Sequence, residues 1–308
     1  MFYQIYKIVK YVLLYPFNKI QEIFSYKNKL EYLTTLIEPA DLKKATGELR
    51  DIQMRYLDFA KELMQIAKEL DIKPFMVAGT LLGAVRHKGY IPWDDDIDFG
   101  LFREDYDKLI NYAKQNHIFI ERPMNRYWTI NSVLKFEDDI IKNNPNKLIF
   151  IQSNCLQVYK GTSLKDFSIV DFFAFDFYKS DYPFEEHKDY LKKIKKTVEK
   201  INNYPKEIEF YNKEREANKN ITDGDNIGFG IDNLLNNMYR NNYKKWFKKD
   251  DFFPLQPIQF EDTEFLSPKN VGSVLENHYG KNWNKLPKDI GFSHHKEVIA
   301  RYIRRNYN

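Results

Sequence analysis

Cysteine is nearly absent from this chain of 308 residues, where Cys155 stands alone. That excludes an intramolecular disulfide framework and suits a reducing compartment. The expected role of Cys155 is a small buried hydrophobe. Long apolar runs are missing too. Phe2 to Phe24 is rich in Tyr, Ile, Val, Leu and Phe, but Gln4, Lys7, Lys10, Asn18 and Lys19 interrupt it before the ~20 apolar residues of a membrane span. No small-residue cleavage site follows a compact apolar region, so a secretory leader is not expected. No internal repeat, low-complexity segment or interdomain linker stands out. A strong charge of one sign is also lacking: 48 Lys and Arg against 44 Asp and Glu leave +4. Nucleic acid is therefore not an expected partner, since it calls for a larger, clustered basic footprint. What is abundant is apolar material, 43% hydrophobic and 16% aromatic, ample for a core and too much for disorder.

At the N-terminus, Gln4, Lys7 and Lys10 fall three apart, near one another on a helix that otherwise carries Phe2, Ile5, Val9, Val12 and Leu13. Two readings stand: an interfacial helix on an anionic membrane surface, with residues 1–25 as a peripheral contact, or a helix packed on the body. Further on, Leu49, Ile52, Tyr56, Phe59, Leu63, Ile66 and Leu70 recur at steps of three and four and predict an amphipathic helix, closed by Pro74. Phe75 to Ala78 reads as a short buried strand, followed by Gly79-Thr80 and a short helix over Leu81 to Val85. A strand running through a Gly-Thr turn into a helix presents N–H groups and a hydroxyl to an anion.

Arg103 to Asn116 reads as a helix, and strands are expected at 118–121, 132–136, 148–151 and 156–159. Ser168 to Tyr178 is an apolar run broken by Asp171 and Asp176. A buried strand has little reason to carry Asp171 unless its end or one face opens into a polar site. A basic helix follows from Glu185 to about Asn202 on the stripe Leu191, Ile194, Val198 and Ile201. Helical segments continue over 231–247, and another helix runs from Asn270 to His278.

The densest chemistry lies at Asp94, Asp95, Asp96 and Asp98, four carboxylates in five positions. They repel one another unless solvated or neutralised by a cation. Ile97, Phe99 and Leu101 alternate with Asp96, Asp98 and Gly100, which places Asp96 and Asp98 on one face of a strand. An EF-hand fails, because Phe99 falls where the loop needs Gly and Asp105 where it needs a bidentate Glu. An Asp-x-Asp of a nucleotide-sugar glycosyltransferase is a second reading, set against the single short strand upstream. The third joins Gly79-Thr80, Asp96-x-Asp98 and Asp171: a turn that contacts phosphate, and three carboxylates that bind Mg²⁺ or Mn²⁺. That is the arrangement of the nucleotidyltransferase superfamily.

The run from Gly79 through Arg86-His87-Lys88-Gly89-Tyr90-Ile91-Pro92-Trp93 to Asp98 closely resembles the signature of the LicD family of phosphotransferases, which takes in fukutin and its related protein. Val170-Asp171-Phe172-Phe173-Ala174-Phe175-Asp176 resembles the family's second motif, with Ala174 where Pro is usual. Phe260-Glu261-Asp262, Leu275, Tyr279-Gly280, Trp283, Leu286-Pro287 and His294 resemble its third. The likeness covers roughly residues 50 to 295. It implies an α+β, nucleotidyltransferase-like mixed sheet flanked by helices, with an N-terminal helix and helical C-terminal additions. The expected division is an N-terminal extension over 1–45, a catalytic core over 46–180 and a mainly helical region over 181–308 that completes the site.

The activity implied is transfer of a phospho-alkyl group, phosphocholine or a polyol phosphate, from a CDP-linked alcohol to a hydroxyl of a glycan or lipid-linked glycan, releasing CMP. It would take place in the cytoplasm or at the inner face of the cytoplasmic membrane. Asp96, Asp98 and Asp171 are the candidate catalytic groups and metal ligands. Gly79, Thr80, Arg86, His87, Lys88 and His294 are the candidates for holding the donor. A nucleotidyltransferase proper and an inert scaffold that keeps the fold are the alternatives.

Overall fold

The computed structural model describes residues 37–121, 130–152, 155–198, 200–201, 204–218, 224–231 and 245–287, together with Lys19 and Ser25. Among them are eight α-helices and ten strands. These elements all lie between Lys44 and Trp283, in one compact unit; a second unit contributes residues 37–43 and 284–287, with a 3-10 turn at Pro39–Asp41. The N-terminal helix, most of the helical stretch expected over 231–247, and His294 lie outside the described residues. No helix among the described residues is long and apolar enough to cross a membrane.

Helix α1 (Glu48–Glu69) follows the three- and four-residue recurrence and buries Tyr56, Phe59 and Leu63, with Gln53 as the polar exception on that face. Strand β1 (Phe75–Met76) is shorter than expected, because α2 (Ala78–His87) takes over at Ala78. Then come β2 (Asp98–Phe102), α3 (Arg103–Gln115), β3 (Phe119–Glu121) and α4 (Ile130–Asn143). The strand expected over 132–136 is thus helical. Its short apolar run reads equally as helix or strand; the pairs Lys135–Asp139 and Asp138–Lys142, four residues apart, settle the matter. Asp138 also accepts from the Leu164 N–H at 3.0 Å, tying the helix to the loop before the central strand.

Strands β4 (Ile149–Gln152) and β5 (Leu156–Lys160) lead to β6 (Ser168–Tyr178), the longest of the sheet. Helices α5 (Phe184–Val198) and α6 (Tyr204–Asn218) follow. After them come β7 (Asn226–Phe229), β8 (Phe247–Lys248), α7 (Lys249–Phe252), β9 (Gln256–Phe260), β10 (Thr263–Ser267) and α8 (Val271–Tyr279).

The strands form one mixed sheet in the order β3-β4-β5-β6-β2-β1-β10-β9, with β7 on β6 and β8 on β7. β6 is central. One edge pairs in parallel with β2, and the other pairs antiparallel, first with β5 and then with β7. Paired on both edges and covered by α1 and α3, β6 needs the near-continuous apolar run that its sequence shows. Phe75, Phe99, Phe172, Phe175 and Phe252 pack around it, and Cys155 is buried as expected.

Candidate active site

Asp98 and Asp171 are register partners on the parallel strands β2 and β6. Their side chains therefore leave the same face of the sheet, on strands about 4.8 Å apart. Three backbone-level bonds fix the pair. The Asp98 N–H donates to Thr80 Oγ1 at 2.8 Å, the Asp171 N–H to the Ile97 carbonyl at 3.1 Å, and the Val77 N–H to the Asp98 carbonyl at 3.3 Å. From β5, Gln157 Nε2 donates to both oxygens of Asp171, at 3.2 and 3.4 Å.

β2 begins at Asp98, so Asp96 lies in the loop before the strand rather than within it, which departs from the expected placement of both on one strand. Asp95, Ile97 and Phe99 are buried, and Asp98 is buried with them, whereas Asp94 and Asp96 are only partly covered; Asp94, Asp96 and Asp98 act on one another. Burial, and then repulsion from Asp96, Asp171 and Asp94, push the Asp98 carboxyl well above the usual carboxylate range. Burial and the neighbouring Asp96, which hydrogen-bonds it, do the same to Asp94. Asp94 thus joins the expected trio, and Asp95 does not.

Helix α2 points its N-terminus at this cluster. The Leu81 N–H makes the first helical bond, to Val77, so the amides of Ala78, Gly79 and Thr80 precede the ladder and carry the positive end of the helix dipole. No side chain caps the helix, and Ala78 is held at φ +46°, a strained conformation of the kind found where a backbone is shaped for a ligand. A Cβ on Gly79 would stand 2.8 Å from Asp94 Oδ2. Glycine there lets the carboxylate and the helix start approach each other.

Arg86, His87 and Lys88 sit at the other end of α2. Arg86 is buried, donates to the Trp283 carbonyl at 3.3 Å, and has its pKa lowered by that burial. It shares a neighbour with the aspartates in Tyr279, at the end of α8. The Tyr279 hydroxyl is pushed up by burial and by Asp98, Asp94 and Asp96, and Arg86 opposes that rise. Yet 43% of the Tyr279 residue surface is exposed, so this tyrosine stands at the mouth of the cluster. His87 meets Trp93 edge-on at 6.4 Å. Lys88 caps the helix in the left-handed region with its side chain exposed. Asp176 is held elsewhere, in a two-pronged bond with Arg103 at 2.8 and 2.9 Å.

The loop that delivers the aspartates is clamped from behind. Glu261, in the β9–β10 turn, accepts from Arg50 at 2.7 and 3.0 Å, from Lys44 at 2.5 Å and from the Tyr90 N–H at 3.1 Å. Burial by itself would raise the Glu261 carboxyl; these bonds outweigh it and hold the group down to about 2. Gly89 makes the close approach possible, since a Cβ there would overlap the Glu261 carboxylate. Arg50 also bonds Gln53, whose amide donates to the Asp94 carbonyl at 2.8 Å.

The donor set at the cluster is carboxylate oxygen throughout, the preference of a hard divalent cation. Repulsion among buried carboxylates is the deficit that such an ion would remove. The residues therefore fit a cation, although among the described residues no three His, Cys, Asp or Glu groups are already drawn into a ligand set.

Gln53 and Gln157 have contacts that no local pattern announces. Tyr279 is marked in the sequence only by the likeness of Tyr279-Gly280 to the third motif, and Asp94 only by its place in the acidic cluster.

A family described as LicD/FKTN/FKRP, nucleotidyltransferase domain, matches residues 71–270. A lipopolysaccharide cholinephosphotransferase LicD from Haemophilus influenzae is 39% identical over 70 residues, 23% of this chain and 26% of that protein. Uncharacterised proteins from Rickettsia prowazekii and Rickettsia typhi are each 49% identical over 45 residues, 15% of this chain and 17% and 15% of theirs. The matched stretches thus span about a quarter or less of these curated relatives.

Proposed function

The chain belongs to the LicD/FKTN/FKRP nucleotidyltransferase-domain family, and from that premise we propose that it transfers a phospho-alkyl group from a CDP-linked alcohol to a glycan hydroxyl. The observation that carries the reading is the in-register pair Asp98 and Asp171 beside the open N-terminus of α2. A phosphate seated on the Ala78–Thr80 amides lies next to the carboxylates, which is where a reacting phosphorus is needed. The named relative, a lipopolysaccharide cholinephosphotransferase, supports a phospho-alkyl cargo and a cell-surface glycan acceptor.

In this reading Asp96, Asp98 and Asp171 hold Mg²⁺ or Mn²⁺. When bound, the ion supplies positive charge for the donor diphosphate and for the charge that builds up in transfer. The α2 amides and the Thr80 turn position the donor, and Arg86 lies behind them as a fixed cation. Asp171, oriented by Gln157, accepts the proton of the attacking hydroxyl. The hydroxyl oxygen bonds to the phosphorus that bears the alcohol, and the bond from that phosphorus to the bridging oxygen breaks. CMP leaves with the electron pair. Glu261 and Tyr279 support a role for the region after residue 180 in completing the site. Work at the inner face of the cytoplasmic membrane, with residues 1–25 as a peripheral contact, belongs to the same proposal. Weaker flotation with anionic liposomes on deletion of residues 1–40 would support that contact, and equal flotation would remove it.

The test is incubation with Mn²⁺, a glycan acceptor and, in turn, CDP-choline, CDP-ribitol, CDP-glycerol and CTP. Release of CMP from one CDP-alcohol is expected. Pyrophosphate release from CTP alone would make the enzyme a nucleotidyltransferase, and no reaction with any of them would favour a scaffold.

A further inference from the structure

Tyr90 lies in the loop between α2 and β2 that carries the aspartates, and it is held by both backbone and ring. Its N–H donates to Glu261 Oε1 at 3.1 Å, and its ring meets Phe260 edge-on at 5.0 Å. Only 4% of the residue is exposed. The hydroxyl at the far end of that ring is buried and has no hydrogen-bond partner among the described residues. A phenylalanine would pack on Phe260 equally well, and a buried hydroxyl without a partner costs the fold free energy. The group calls for an acceptor.

A turn closed by the Asp94 N–H on the Ile91 carbonyl, at 2.9 Å, bends the chain between Tyr90 and the aspartates. After burial, Asp96 is the group that does most to keep the Tyr90 phenol protonated, ahead of Tyr56, Glu261 and Asp94. The other two carboxylates are already engaged. Glu261 accepts through Oε1 from Arg50 and the Tyr90 N–H and through Oε2 from Arg50 and Lys44, and Asp94 stands against the helix start at Gly79. Asp96 also has the greater need. It lies before β2, outside the register that fixes Asp98 and Asp171, so a carboxylate meant to hold an ion there must be oriented by something other than the sheet.

We propose that Tyr90 is a positioning residue of the cation site, its hydroxyl donating to the Asp96 carboxylate, directly or through one water, when the ion is bound. The inference rests on the cation reading of the aspartate cluster and not on which group is transferred. Tyr90 keeps its proton throughout, and Asp96 keeps its charge for the ion. The hydroxyl restricts where the carboxylate points, and affinity follows from that restriction.

Tyr90→Phe tests it, since the change keeps the ring on Phe260 and removes the hydroxyl alone. Mn²⁺ titration followed by electron paramagnetic resonance on the full chain should show binding weakened about tenfold. Without ion, the variant should melt at the parent's temperature or higher, because the unpartnered hydroxyl is gone. In an Asp96→Asn background the same change should cost nothing further. Equal Mn²⁺ affinity in parent and Tyr90→Phe, a further tenfold loss in the Asp96→Asn background, or weaker binding together with a lower melting temperature would each overturn the proposal, the last by assigning Tyr90 to the fold. Binding weakened by Tyr90→Phe in a chain that releases no CMP from any CDP-alcohol would retire the transfer reading and leave Tyr90 in its role. No saturable binding by the parent would remove the cation site, and this proposal with it.

Discussion

Asp98 and Asp171, 73 positions apart in sequence, are partners in one parallel register, and burial with mutual repulsion keeps Asp98 reluctant to ionise. Replacing Asp98 by Asn removes a repelled charge and keeps the shape. The variant should unfold at the same temperature as the parent or higher, yet lose at least about 100-fold in turnover. Thermal melts and CMP release check the two halves; loss of stability together with activity would assign Asp98 to the fold.

Gly79→Ala should separate stability from activity in the same way. The added methyl would meet the end of the Asp94 side chain at 2.8 Å, which can rotate aside, and alanine favours the helix by up to about 1 kcal/mol. Turnover should fall about tenfold or more while the melting temperature holds or rises. Undiminished turnover would show that Asp94 need not sit against the helix start.

Glu261→Gln weakens the clamp behind the aspartate loop and leaves Arg50 and Lys44 without a countercharge. A charge-assisted bond of this kind is worth about 2 kcal/mol, and urea unfolding should show a loss of that order. Glu261→Asp should recover part of it. A neutral result would mean that Gln53 and the backbone bonds hold the loop unaided.

His187 predicts an acid limit to stability. The ring is fully buried among Tyr178, Tyr182 and Trp246, and neither nitrogen has a hydrogen-bond partner among the described residues. Burial lowers its pKa to about 3 from the 6.5 of a free imidazole. The unfolded chain therefore binds the extra proton between those values. The stability tied to His187 is complete above about pH 6.5 and is lost as pH falls toward 3, by up to about 1.4 kcal/mol per unit. His278, lowered to about 4 by burial, adds in the same direction. Urea midpoints from pH 4.5 to 7.5 should fall less steeply with acid in His187→Phe than in the parent; equal slopes would refute the assignment.

Much of this was legible in the chain. The apolar steps of α1 and the broken apolar run of β6 are local patterns, and the structure follows both. The period-two alternation points to a strand at Asp98, and the strand does open there, but the same pattern does not reach back to Asp96, which lies before it. Other features have no local trace. Gln53 is buried on α1 because a loop 41 residues later needs its amide, and Gln157 faces Asp171 only through the β5–β6 register. Helix α6 carries no apolar stripe by which to announce itself, and residues 132–136 are too few to separate a period of two from one of 3.6.

The most direct test of the central claim is Mn²⁺ binding, followed by electron paramagnetic resonance on the parent chain and on Asp98→Asn and Asp171→Asn. The account predicts saturable binding by the parent and a loss of at least about tenfold in each variant. Equal binding by all three would contradict a metal site built on this pair.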